Sequence, residues 1–226
     1  IGLRVAQLTH NEANFAGDGC AEKRNGGLTA FGRELVAEMN AAGVAIDLSH
    51  CGDATATEAA RVSRRPVLLT HSNAKSVHDR VRNKDDAAIL AVAGSGGVVG
   101  ISIHGFMNWD GDPKHPPSLD GWVDHVRYVA RIAGIEHVGI GTDFAAVQDD
   151  ALVQAILERN RDRYRAANAY AQAFGNSSAG RYPAGVSGPR NFPRLIEALE
   201  RAGFTDGQVD AIAGGNFLRA YSEIWN

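Results

Sequence analysis

Histidine closes three short apolar runs of this chain: LRVAQLTH at 3–10, VAIDLSH at 44–50 and PVLLTH at 66–71. A fourth, His104, follows GVVGISI, and Asp143 stands near the end of HVGIGTDF at 137–144. Imidazole is the commonest side-chain ligand for zinc, and rings on two adjacent strands can share one ion. A carboxylate on a later strand can act beside them as general acid or base. His50 and His71 with Asp143 make the sharpest such set. The competing reading for any single histidine is a hydrogen bond within the rim of the fold.

These groups converge only if the elements behind them are parallel and consecutive. Val5–Leu8 reads as a strand, and Leu28, Phe31, Leu35, Val36 and Met39 recur at the spacing of an amphipathic helix ended by Gly43. Val44–Leu48 is the next strand. Asp53 is the expected cap of a helix over 54–63, and Pro66 opens the strand Val67–Thr70. A helix over about residues 85–93 leads to the glycine-rich strand GVVGISI. Leu119–Ala133 reads as a helix with Val123, Val126, Val129 and Ala130 on one face, followed by the strand at 137–144. Strands joined by helical crossovers give a parallel sheet, and glycine-rich, β-branched strands suit a (β/α)8 TIM-type barrel. In that fold reacting groups sit at the C-terminal strand ends, where His10, His50, His71, His104 and Asp143 all lie. Only about five of the eight strands are visible.

Past Asp143 the alternation stops. Residues 149–174 read as helical, and GNSSAGRYPAGVSGPRNFP as a long loop. The expected organisation is one domain over 1–226, with 145–188 as a variable rim or lid and 189–226 as closing helices, NFPRLIEALERAG and TDGQVDAIAGG. Thr205 is the expected cap of the second.

Composition narrows the function classes. The 226 residues carry a net charge of −3 with 44% hydrophobic residues, so nothing favours nucleic acid or an anionic membrane as partner. No apolar run is long enough to span a bilayer, and no signal peptide is visible, which gives a cytoplasmic expectation. Cys20 and Cys51 do not make a disulfide framework.

The segments LTHN, GLTAFGRELVAEMNAAGVAIDLSH, RPVLLTHSNAKSVHDRVRNKDD, VGIGTDF and GGNFLRAY resemble the membrane (renal) dipeptidase family of zinc peptidases. The resemblance implies a metal-dependent hydrolase barrel with two zinc ions bridged by a glutamate and a water or hydroxide. It implies that His50 and His71 are ligands of the second zinc. His10 matches the residue that contacts the substrate carbonyl and stabilises the oxyanion. Arg82, with Arg80 as its neighbouring competitor, matches the arginine that holds the substrate's C-terminal carboxylate. Asp143 matches the proton carrier. The implied substrates are small dipeptides, including those with a C-terminal D-residue.

The family's H-x-D pair and bridging glutamate have no counterpart here, since no H-x-D occurs in the sequence. Ala145–Ala146 replace the usual Asp-Gly, and His104 stands where Tyr or Asn is usual. A five-strand fragment would leave two sheet edges to cover. The expectations are therefore association with an N-terminal portion, a homo-oligomer with a composite site, or a non-catalytic remnant or assembly subunit. A related amide or ester hydrolase is the enzymatic alternative. Other residues carry blander readings. Asp47 either orients a ligand histidine or bonds backbone. Cys51 is a weak candidate ligand, His115 and His137 are loop or surface residues, and His125 is a solvated helix residue. Trp109 lines the mouth or covers the rim, and Asp149–Asp150 begin a helix.

Overall fold

The computed structural model describes residues 2–144, 151, 152, 155 and 181–226. The expected helix over 149–174 and the Asp149–Asp150 pair lie almost wholly outside them. Five strands, β1 (Val5–Gln7), β2 (Ala45–Asp47), β3 (Leu68–Ser72), β4 (Val98–Ser102) and β5 (Val138–Gly141), pair in chain order, every pair parallel. Helices α1 (Ala30–Ala41), α2 (Asp53–Val62), α3 (Asp86–Gly94) and α4 (Leu119–Ala133) are the crossovers. Sequential order without reversal is that of a barrel, not of a doubly wound sheet, whose order switches direction. Among the described residues the arc does not close: β1 pairs with β2 and β5 with β4.

Local chemistry sets where the helices begin. The side chains of Thr29, Asp85 and Ser118 accept from the backbone N–H three residues on, at Gly32, Ala88 and Gly121. Asp53 differs from the expectation. The cap of α2 is Gly52, and Asp53 sits in the first helical turn, where it pairs with Lys75.

Alternate residues of each strand face opposite ways. Ile46, Leu69, Val99 and Ile101 share the large core with the crossover helices, including Val36, Ile89 and Val126. Ala45, Leu68 and Val98 point inward and form a second core with Ala220 and Ile224. These last two belong to a helix that the sequence reading did not separate. After α5 (Pro193–Arg201) and α6 (Asp206–Asp210), a wide turn at Ala211–Gly215 bends at Gly214 into α7 (Asn216–Trp225). Thr205 does cap α6, in a reciprocal box with Gln208.

Helix α7 runs beneath the N-terminal ends of the strands. Asn216 Nδ2 donates to the carbonyls of Ile135 and Val138, and the Arg219 guanidinium to those of Gly96 and Glu136. The Phe217 ring reaches up against β5 at Gly139, where a Cβ would lie 2.5 Å from ring atom Cε2. Gly139→Ala is therefore expected to overpack this contact by about 1–3 kcal/mol, a loss of about 2–4 °C in Tm per kcal/mol. Adding Phe217→Leu should return most of it; purely additive losses in thermal melts would show that the ring is not the obstacle.

His125 corrects its expectation. It is fully buried in α4, at 0% exposure, because it shares the stripe of Trp122, Val126 and Val129. His115 is exposed as expected, and half-buried His137 bonds the carbonyl of Gly97. Trp109 is buried under the Arg80 guanidinium and donates to the Asp112 carbonyl. Among the described residues no helix is long and apolar enough to cross a membrane.

Candidate metal centre

His50 follows β2 and His71 lies within β3, so parallel pairing sets the two imidazoles side by side. Their Nε2 atoms are 3.0 Å apart, and the rings meet edge to face at 5.0 Å. The other ring nitrogens are already engaged. His50 Nδ1 lies 2.7 Å from Asn11 Oδ1, which only accepts, so Nδ1 carries the proton. His71 Nδ1 lies 2.8 Å from Thr70 Oγ1, and that hydroxyl donates its own hydrogen to Asp47 Oδ2, also at 2.8 Å. The oxygen is thus left to accept from His71 Nδ1–H.

Both Nε2 atoms then present lone pairs to each other. Two such lone pairs repel unless a proton or a cation lies between them. A tetrahedral zinc ion at about 2.0–2.1 Å from each nitrogen would separate them by roughly 3.3 Å, close to the spacing found. Burial pushes both imidazoles below the ordinary histidine range, so both are neutral, as ligands must be. The Arg82 charge lowers them further. The pair therefore fits a divalent cation. Among the described residues no group of three or more His, Cys, Asp or Glu could hold a metal, and Cys51 is fully buried outside any such group.

Asp47 fulfils both readings given for it. It accepts from the backbone N–H of Ser49 and Thr70 at 3.0 Å each and from Gln7 Nε2 at 2.9 Å, and through Thr70 it orients His71. Such outer partners fix the tautomer and direction of a ligand ring.

Of the remaining candidates, His10, Arg82 and Asp143 lie beside this pair. The His10 ring stacks on His50 with centroids 4.0 Å apart. Arg82 is nearly buried. Its Nη1 donates to the Ser49 carbonyl and its Nη2 to that of His71 at 3.5 Å, which accounts for two of its five N–H groups. Arg80 points away, donating to the Trp109 carbonyl at 2.7 Å.

Asp143 is exposed at the end of β5 in the left-handed region, at φ 51°, where residues with a Cβ are uncommon. The buried Tyr182 hydroxyl donates to its carbonyl at 2.9 Å. The Tyr182 ring stands edge-on to His104 at 5.9 Å and to Phe144 at 5.3 Å, tying the rim segment to two strand ends. His104 is held below the ordinary histidine range by burial, against the opposing pull of Asp143. His71 and Asp143 line one open cavity of about 620 Å³ on the inward face, with Tyr221 of α7 on its wall.

Sequence reasoning did not single out Asn11, Thr70, Lys84 or Tyr182. Asn11 and Thr70 adjoin the histidines in THN and LTH, and that adjacency was the available signal. Tyr182 and Lys84 act through space and left none.

A family model described as membrane dipeptidase (Peptidase family M19) matches residues 1–160. A dipeptidase of Aspergillus oryzae, aclJ, is 30% identical over 99% of this chain and 46% of its own length. The chain spans about half the length of the curated relatives it matches. An amidohydrolase of Pseudomonas aeruginosa superposes with a TM-score of 0.78 at 29% identity, over 99% of this chain and 65% of the other. A metallo peptidase of Rhodobacter sphaeroides, solved with a phosphinate mimic of L-Ala-D-Ala, gives 0.75 at 23% identity over 99% and 56%.

Proposed function

We propose that this chain, which belongs to the membrane dipeptidase family (Peptidase family M19), carries half of a zinc-dependent site that hydrolyses small dipeptides. The observation that carries this reading is the His50–His71 pair, with both Nδ1 atoms bonded and both Nε2 lone pairs converging at 3.0 Å. Those two rings would hold the ion. A bound zinc ion supplies Lewis acidity toward a carbonyl and makes water a better nucleophile near neutral pH.

The chain's own residues do the rest. His10 donates to the substrate oxygen as negative charge develops on it, a role supported by its stacking on His50. A placed donor of this kind contributes about 3 kcal/mol. Arg82 holds the C-terminal carboxylate, for which a planar guanidinium fork is suited. Its position over the carbonyls of residues 49 and 71 supports that role. Such a clamp restricts substrates to dipeptides, because a longer chain has no carboxylate at that distance. Asp143 moves a proton to the leaving amine; its place beside His71 on one cavity supports this. The L-Ala-D-Ala mimic bound by the Rhodobacter sphaeroides enzyme supports acceptance of a C-terminal D-residue. The remaining ligands come from beyond the described residues, in a homo-oligomer or from an N-terminal portion.

Purified protein is to be compared on a dipeptide and on its C-terminal amide, before and after zinc removal by a chelator. Turnover should vanish without zinc and return with it, and the amide should be slower by at least about 100-fold. Equal turnover of both would overturn the carboxylate clamp, and undiminished turnover without zinc would overturn the metal's role.

A further inference from the structure

Lys84 is completely buried, and its ammonium is bonded to neutral groups. Nζ donates to the carbonyl of Cys51 at 2.8 Å and to that of Ser49 at 3.1 Å. These are the two carbonyls on either side of His50. Arg82 Nη1 donates to the same Ser49 carbonyl. Two cations from one loop thus converge on the backbone that carries a single imidazole.

Burying an ammonium is costly, and here burial pushes Lys84 down to about 8. The cost is not offset by a hydrogen-bonded carboxylate, since the nearby Asp53 is paired with Lys75. The backbone N–H and carbonyl of Lys84 are also fixed, to the carbonyl of Asn73 and the N–H of Lys75. The side chain therefore rises from a backbone pinned to residues 73–75, just past His71, and reaches the loop that follows β2. It leaves the His50 peptide little freedom to rotate.

We propose that Lys84 is a positioning residue for the His50–His71 pair: its ammonium bridges the carbonyls flanking His50 and fixes the direction of that imidazole toward His71. The proposal rests on the reading of this pair as cation ligands, but one of its two tests needs no metal.

Lys84→Met keeps the length and removes the donors. Zn²⁺ affinity, measured by competition with a chromophoric chelator, should fall 10–100-fold, the range for loss of a partner that orients a ligand. In metal-free protein, ¹H–¹⁵N correlation of the imidazoles should show His50 as a single Nδ1–H tautomer, and the two nitrogen shifts should converge in the variant. Lys75→Met breaks the neighbouring ion pair to Asp53 and should change neither readout. Unchanged Zn²⁺ affinity and tautomer in folded Lys84→Met overturn the proposal, as do equal effects from Lys75→Met. If Lys84→Met does not fold, Lys84→Gln, which keeps two N–H donors, carries the same readouts with a smaller shift. Failure of the unaltered protein to bind Zn²⁺ would overturn the metal reading, and the tautomer comparison then decides on Lys84 separately.

Discussion

Alanine at His71 is expected to weaken Zn²⁺ binding by well over 100-fold and to reduce dipeptide turnover to background. Losing a residue that merely orients a ligand already costs about 10–100-fold, and His71 is read as a ligand itself. The structure adds a reason why nothing nearby would substitute. Thr70 is bound to Asp47, and Asn11 serves His50, so neither is available to approach the vacated position. Removing the ring also leaves His50 Nε2 as the one imidazole nitrogen of the pair facing the proposed ion position. His71→Ala should remain folded, because His71 is only half-buried and the backbone bond from its N–H to Ser49 Oγ survives the change. Isothermal titration with Zn²⁺ and circular dichroism separate the two effects. Retained affinity in the folded variant would remove the basis of the proposed function.

Acid should destabilise the protein steeply, with His125 as one of the contributing groups. Its Nδ1 lies 3.3 Å from the Ala74 N–H and accepts from it, so the proton sits on Nε2, a buried atom with no hydrogen-bond partner. The His78 ring packs edge-on at 5.2 Å. Burial holds His125 down to about 3, against an ordinary value of 6.5. The sign follows from proton counts. Between pH 6.5 and 3 the unfolded chain binds a proton that the folded chain refuses, so folding is penalised increasingly as pH falls. Its contribution is fully present above 6.5 and lost through that interval, roughly 3–5 kcal/mol in all. This is a large share of the 5–15 kcal/mol that holds a typical domain together. His50, His71 and His104 are displaced the same way by burial and steepen the fall. Urea unfolding at pH 7, 6, 5 and 4 should show declining midpoints. His125→Gln, which keeps an acceptor for Ala74, should lessen the slope by up to one proton, and an identical slope in that variant would assign the acid sensitivity elsewhere.

Apolar runs ending in histidine fixed much of this molecule in advance, because a strand's length and its terminal residue are local properties. So was the cap at Thr205; Thr29, Asp85 and Ser118 cap by the same local bond to the backbone three residues away but were not singled out in the sequence. The spacing of Leu119–Ala133 gave that helix its observed limits. His125 was legible too, since it stands three residues after Trp122 and four before Val129. Its polarity argued for solvent, and the stripe's geometry prevailed.

Contacts between distant segments had no sequence signature. Helix α7 lies beneath the N-terminal strand ends because Ala45, Leu68 and Val98 need an apolar cover there and Gly139 leaves room for Phe217, a match visible only once the strands are aligned. The protonation pattern of the histidine pair is likewise tertiary. Asn11 and Thr70 reach the two Nδ1 atoms from different loops, and only their joint presence turns both lone pairs inward. The sequence by itself determined which side chains stand at the strand ends. Parallel pairing and burial decided that two of them meet as neutral, converging donors, because direction and desolvation belong to the assembled fold and to no segment of it.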